Sequence, residues 1–204
     1  SLLLPILNWL KYMNAPVAKL LEQSHLPVTL LKGEHHLVSS DCWAQLIELS
    51  AKELGISDIG FRLSEHDNLS SIANLLLDVK ENSSDLESAL IYFINTVGKV
   101  SSRTKFWLNY TKQGIWFMCE SEKYKNVSIV PIEQMTVANM VKFVGRWLGQ
   151  NWQAKAIQLH QPYCVDVERY FRNIPVAYNQ DHRGVLISYK DIGEPKFLSQ
   201  KLVS

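Results

Sequence analysis

Apolar positions in the first hundred residues recur every three to four places, the spacing of helices buried on one face. Pro16 to Ser24 predicts a short amphipathic helix that stops ahead of Pro27. Ser39, Ser40 and Asp41 offer N-caps for a helix carrying Trp43, Leu46, Ile47 and Ser50 on one face and closing at Gly55. Ser57 can cap a short turn through Ile59, Phe61 and Leu63. Leu69 to Val79 predicts a further helix with an apolar centre. After the polar connector 80–85, Asp85 caps a long helix with Leu86, Ala89, Leu90, Phe93, Ile94 and Val97 at helical spacing.

Near Ser101 the period changes to two. Lys105 to Tyr110 and Ile115 to Glu120 predict strands around the hairpin loop Lys112-Gln113-Gly114. Pro131 suits the first turn of a helix whose stripe is Val137, Val141, Val144 and Leu148. Lys155 to His160 predicts a strand, Tyr163 to Phe171 a helix, and Ile174 to Tyr178 and Val185 to Tyr189 strands about the turn 181–184. The expectation is an α+β fold. A helical subdomain, residues 1–100, packs with a β-β-α-β-α-β-β mixed sheet, residues 101–204, covered on one side.

Composition narrows the classes. The chain has 204 residues, 47% apolar and 20% charged, which excludes a disordered, collagenous or disulfide-built protein. Cys42, Cys119 and Cys164 are odd in number and far apart, as expected of a reduced, cytoplasmic protein. The apolar run Ser1 to Leu10 is interrupted by Pro5 and Asn8 and has no basic start, so neither a signal peptide nor a membrane anchor is expected. A chain opening on Ser1 reads as a segment of a longer protein. The formal net charge of +1 hides an asymmetry. Residues 1–100 hold 7 basic against 12 acidic side chains, and residues 101–204 hold 14 against 8. The basic excess is scattered (Lys112, Lys142, Arg146, Lys155) and not gathered into the face that a nucleic acid requires.

Catalytic chemistry needs a nucleophile with its base, paired carboxylates or a ligand set, and no such motif stands in the sequence. No cofactor, metal or enzymatic activity is expected. Adjacent His35 and His36 diverge on any regular element and cannot share a metal. His25, His66 and His182 fall among turn residues, and Cys164 has no neighbouring cation to activate it. His160 ends an apolar strand just before Gln161-Pro162, where pockets form in layered α/β structures. Trp107, Tyr110, Trp116 and Phe117 crowd the first hairpin. Alternation puts Trp107 on the face opposite Phe106 and Leu108, so not all of these rings can enter one core; core or cross-strand packing is the default expectation, and an apolar ligand cavity or a dimer surface the alternative for the rest.

Ala51 to Ser57 imitates a helix-turn-helix: an alanine, then four places on a glycine, an aliphatic residue and a serine. The would-be reading helix carries Asp58 and Glu65 against one cation, Arg62, the wrong balance for phosphates.

Four stretches resemble the N-terminal effector domain of AraC/XylS-type transcription regulators, the arabinose-binding-like group. They are Leu20 to Leu26, Leu49 to Leu63, Ala156 to Pro162, and Tyr170 to Val176 with Gly184 to Ile187, in the family's order and spacing over residues 17–198. The chain departs from the family where Asn173 stands for a usual glycine and where only Gln161 separates His160 from Pro162. The resemblance implies one effector-sensing domain that binds a small metabolite or apolar molecule and forms a homodimer. DNA is then reached only through a helix-turn-helix module C-terminal to this chain. The candidate ligand-binding residues are Trp107, Trp116, His160 and Tyr178, in a pocket between the aromatic hairpin and the strand ending at His160. The alternative is a ligand-free interaction module. The helix at Leu69 to Val79 is a second candidate for the dimer surface.

Overall fold

The computed structural model describes residues 3–34, 38–67, 69, 72–99, 103–123, 127–149 and 151–193. In chain order the elements are α1 (Leu4–Tyr12), α2 (Val17–Gln23), a 3-10 turn (Val28–Lys32), α3 (Ser40–Leu54), α4 (Ile59–Asp67), α5 (Ala73–Glu81), α6 (Leu86–Val97), β1 (Thr104–Thr111), β2 (Gly114–Ser121), α7 (Val130–Leu148), β3 (Ala156–Gln158), α8 (Val165–Tyr170), β4 (Val176–Ala177), β5 (Arg183–Ser188) and α9 (Tyr189–Ile192). This is the expected α+β class, with the strands and helices after residue 103 in the predicted order. The chain divides into two compact units: Ser1–Ser71 with Glu122–Asn139 and Cys164–Tyr170, and Ile72–Ser121 with Met140–Tyr163 and Phe171–Ser204.

The first unit is helical. Pro5 and Asn8 interrupt the apolar run without interrupting α1: the proline stands in the first turn, where its missing N–H is not needed, and Asn8 faces out. Ser39 caps α3, its hydroxyl accepting the Cys42 amide at 3.2 Å, and the helix closes on Gly55 in the left-handed conformation (φ 64°). Leu7, Leu21, Leu30, Leu46, Ile59 and Leu63 form the fully buried centre of the cluster these helices share.

The second unit is built on a five-stranded sheet of order β1-β2-β5-β3-β4, parallel only at β3–β4. β1 and β2 pair without a bulge from Thr104↔Ser121 to Thr111↔Gly114, so the hairpin loop is Lys112-Gln113 and Gly114 already belongs to β2. One face presents Phe106, Leu108, Ile115, Phe117, Val185 and Ile157 in register. Helices cover it: Phe93 of α6 meets the rings of Phe106 at 5.3 Å, Phe117 at 6.0 Å and Phe143 of α7 at 5.0 Å. Asp85 starts α6 with a full capping box, its carboxylate accepting the Ser88 amide while the Ser88 hydroxyl accepts the Asp85 amide.

Several boundaries differ from expectation: α8 and β4 are shorter than the spans Tyr163 to Phe171 and Ile174 to Tyr178, and Tyr189 opens α9 instead of closing a strand. The helix expected from Leu69 begins at Ala73, because Leu69 has φ 63°, which a right-handed helix cannot include. Of the strand expected over Lys155 to His160, Ala156–Gln158 is regular strand; the Lys155 amide still donates to the Leu186 carbonyl at 2.9 Å and the Leu159 amide to the Ala177 carbonyl at 2.8 Å, so His160 alone lies beyond the pairing. Arg183 and Gly184, read as turn, open β5. Asn173, where the family pattern usually has glycine, adopts φ 65°, a conformation open to asparagine as well as glycine.

Candidate functional site

The sheet face away from α6 carries two rows in register. Trp107, Met118, Gly184 and Gln158 make one, and Asn109, Trp116, Leu186 and Ala156 the other. Both indoles are half-buried. Gly184 makes their arrangement possible, since a Cβ there would stand 2.5 Å from Met118 Sδ and 3.2 Å from Trp116 Cε3. At the rim, Gln158 Nε2 donates to the His182 carbonyl at 3.0 Å. The exposed His182 ring stands edge-on to Trp107, centroids 5.1 Å apart at 90°. The result is an aromatic platform bordered by an amide and an imidazole, a surface suited to an apolar ring with a polar edge. His182 keeps the exposed turn position expected of it, and its place two residues before Gly184 of β5 is the sequence signal for this role.

The other two predicted residues stand elsewhere. His160 and Tyr178 follow β3 and β4, across the sheet from Trp107 on β1. At about 4.8 Å per strand, β4 and Tyr178 stand roughly 19 Å from β1, and β3 with His160 roughly 14 Å. His160 Nδ1 lies 3.0 Å from the Gln180 carbonyl, and Gln180 in turn donates through Nε2 to the Tyr178 carbonyl at 2.8 Å. Tyr178 packs against the exposed ring of Tyr163 at 5.4 Å. The four candidates therefore form two pairs: Trp107 with Trp116, and His160 with Tyr178.

An open apolar groove of about 270 Å³ runs between α6 and β1, lined by Ile91, Ile94, Asn95, Trp107, Leu108 and Tyr110. At its end the Tyr110 hydroxyl donates to Glu87 Oε1 at 2.9 Å. Burial, and then the neighbouring Glu87 carboxylate, hold the Tyr110 hydroxyl above its ordinary pKa. Burial and Glu87 push Tyr189 the same way.

In the first unit, α3 and α4 do form a helix-turn-helix, and its second helix is packed away. Ile59, Gly60, Phe61, Leu63, Ser64 and Asp67 are buried. Gln134 of α7 clamps the entry to α4, its Oε1 accepting the Gly60 amide at 3.1 Å and its Nε2 donating to the Ser57 carbonyl at 2.8 Å. Phe61 stacks on Tyr170 of α8 at 4.6 Å, and Arg62 is held by Asp58 at 2.8 Å. The face left exposed carries Arg62, Glu65 and His66, and its arginine is already paired, a poor balance for phosphates. Ser57 Oγ donates to Asp166 Oδ2 at 2.5 Å and lies 3.5 Å from Cys164 Sγ, while Asp166 also binds Arg169 at 3.2 Å. These bonds fasten the loop before α4 to α8, with the carboxylate shared between a hydroxyl and a guanidinium. Among the described residues no three His, Cys, Asp or Glu side chains could hold a metal ion, and no helix is long and apolar enough to cross a membrane. His35 and His36 lie outside the described residues.

The family described as the arabinose-binding domain of AraC transcription regulators, N-terminal, matches residues 15–195. No curated protein matches the chain. Among solved structures it is similar to the transcriptional regulator CdpR from Pseudomonas aeruginosa, at TM-score 0.57 and 13% identity over 87% of this chain. The chain spans 55% of that regulator's length. The shared fold, and a family match over nearly the whole sequence, lead to one conclusion: the chain belongs to the family of N-terminal arabinose-binding domains of AraC transcription regulators.

Proposed function

We propose that this chain is the non-enzymatic, cytoplasmic sensing and dimerisation part of a transcription regulator, controlling a DNA-binding module elsewhere in the same protein. The family match over residues 15–195 carries the reading. The chain's share of the CdpR length, 55%, supports a further module in the whole protein. The effector is a small molecule with an apolar face and a hydroxyl or carboxylate edge, and the platform of Trp107 and Trp116 bordered by Gln158 and His182 supports that chemistry. Control is linkage: an effector that prefers one state of the regulator shifts it by the difference in its affinities, about 1–3 kcal/mol.

The test is thermal unfolding against a panel of sugars, hydroxy acids and aromatic carboxylates. An effector at a hundred times its dissociation constant adds about 2.7 kcal/mol of stability. Trp116→Ala and His182→Ala should reduce that gain. A panel hit whose gain both variants leave intact sinks the platform as the site. Salt-sensitive, submicromolar binding of promoter DNA by this chain without its further module, or turnover of a substrate, sinks the functional reading.

A further inference from the structure

We infer that the outer edge of β1, with the Ile91–Ile94 stripe of α6 beside it, pairs with the same edge of a second copy, joining two five-stranded sheets into one. This rests on the dimerisation part of the proposed function and names the surface.

Among the described residues β1 is an edge strand: its single neighbour in the sheet is β2. It is eight residues long and pairs with β2 at every position from Thr104 to Thr111, so no bulge twists its edge away, and it holds no proline. Its one charged side chain is Lys105. Long, flat, apolar edges of this kind recruit another strand unless something blocks them. The two-residue loop makes Thr111 and Gly114 the hydrogen-bonded closing pair of the hairpin. The amides of Thr111, Asn109, Trp107 and Lys105 are therefore used by β2, whereas Phe106, Leu108 and Tyr110 turn their N–H and C=O outward.

The sequence of β1 selects a copy of itself as the occupant. An antiparallel pairing centred on Leu108 sets Leu108 against Leu108 of the second copy, Phe106 against Tyr110, Trp107 against Asn109 and Lys105 against Thr111. The aromatic pair is favourable, and the strand's lysine never meets its own copy. The two-fold axis of such a pair is perpendicular to the sheet, so α6 of both copies lies on the same side and the helices run antiparallel. Their half-exposed Ile91 and Ile94 then close over the apolar groove at the joint, and Glu87 of one copy is kept away from Glu87 of the other. A peptide strand from an unrelated partner satisfies the outward amides but has no reason to match the isoleucine stripe.

The experiment is sedimentation equilibrium of the chain and of Ile94→Lys, with Leu108→Cys and Lys105→Cys tested for oxidative crosslinking. Melting and near-ultraviolet dichroism establish that each variant is folded. The expected result is a dimer whose dissociation constant rises at least tenfold in Ile94→Lys. Leu108→Cys should crosslink above the background of the native Cys42, Cys119 and Cys164, because a hydrogen-bonded antiparallel pair sets the two Cα atoms about 5.5 Å apart, within disulfide reach. Lys105→Cys should not. A dimer that Ile94→Lys leaves intact and Leu108→Cys fails to trap overturns the surface while dimerisation stands. A chain monomeric at 200 µM, taken as about a hundredfold above a micromolar constant, overturns both.

Discussion

Gly60 separates a scaffold helix from a reading helix. In an ordinary exposed helix, replacing glycine with alanine stabilises by about 1 kcal/mol, because alanine loses less backbone entropy. A DNA-reading α4 would follow that rule. Here a Cβ at position 60 would stand 2.0 Å from the Pro131 carbonyl oxygen, 2.6 Å from Gln134 Cβ and 2.9 Å from the Met135 amide nitrogen. The first contact is about 1 Å inside any tolerable approach, and two of the three atoms are backbone, so no rotamer change relieves it. If α7 retreats by that distance, the packing between the helices loses a quarter to a half of its dispersion energy at the contact. The Gly60–Gln134 hydrogen bond, with Gln134 fully buried, breaks at a further cost of about 1–3 kcal/mol. Overpacking adds about 1–3 kcal/mol, and the propensity gain returns about 1. The net is a loss of about 3 kcal/mol, or roughly 6–12 °C in a chain of this size. Gly145 is the internal control: it lies in α7 with nothing within 4 Å of an added Cβ, so Gly145→Ala should stabilise by up to about 1 kcal/mol. Thermal and urea unfolding read both. If Gly60→Ala melts at or above the wild-type temperature, α4 is not gripped by α7, and the case against groove reading loses its geometric half.

Other consequences are simpler. Tyr110 and Tyr170 both have hydroxyls raised above the ordinary value of 10.0, in each case by burial first, then by Glu87 for Tyr110 and by Glu65 and Asp58 for Tyr170. The unfolded chain releases these protons from about pH 10 upward while the folded chain keeps them. Stability is therefore whole below pH 10 and falls above it, by up to about 1.4 kcal/mol per pH unit for the more buried Tyr170 and by less for Tyr110, where solvent screens the carboxylate. Tyr110→Phe and Tyr170→Phe should each flatten the alkaline limb of a stability-versus-pH curve; an unchanged limb in both would contradict the burial argument. Asp85→Ala removes the capping box of α6 and should cost about 1 kcal/mol in urea unfolding, with Asp85→Asn losing much less. Gly114→Ala meets the Ile187 carbonyl oxygen at 2.0 Å from a backbone at φ 152°, so a loss of about 2–4 kcal/mol and faster amide exchange along β2 and β5 are expected.

What the sequence revealed depended on how local the cause was. Ser39, Gly55 and Asp85 act on their own helix ends, and their caps fell where the residue types placed them. The hairpin was equally legible, because period-two alternation on both sides of a short polar loop has one regular solution. The end of β3 was less legible: its pairing with β5 stops at Gln158↔Gly184 while Leu159 bonds only on the β4 side, a fact of the partner strands and not of the run Ala156 to Leu159. The same limit splits the candidate site. Alternation correctly put Trp107 off the core face, and the register brings Trp116 to the same side. Strand order is non-local, however, and β5 comes between β2 and β3, with β4 beyond, so the hairpin tryptophans and the His160–Tyr178 pair are held apart.

The helix-turn-helix imitation shows why a motif needs a charge argument beside it. A glycine that closes one helix in the left-handed conformation, and a serine that fastens the entry to the next, are demanded by the turn itself, whatever the second helix then faces. Gly55 has φ 64°, and Ser57 is fastened to Asp166, so both residues are fully explained by the turn between α3 and α4. What a DNA reader adds is an exposed face with uncompensated cations. α4 offers Arg62, already paired with Asp58, and it buries Phe61 and Ser64 on Tyr170 and Asn139. Phosphate attraction supplies a large share of the affinity in such complexes, so a helix whose one arginine is already paired is poorly suited to a groove. Acidic balance and burial are independent observations, and both assign this motif to the scaffold of the first unit.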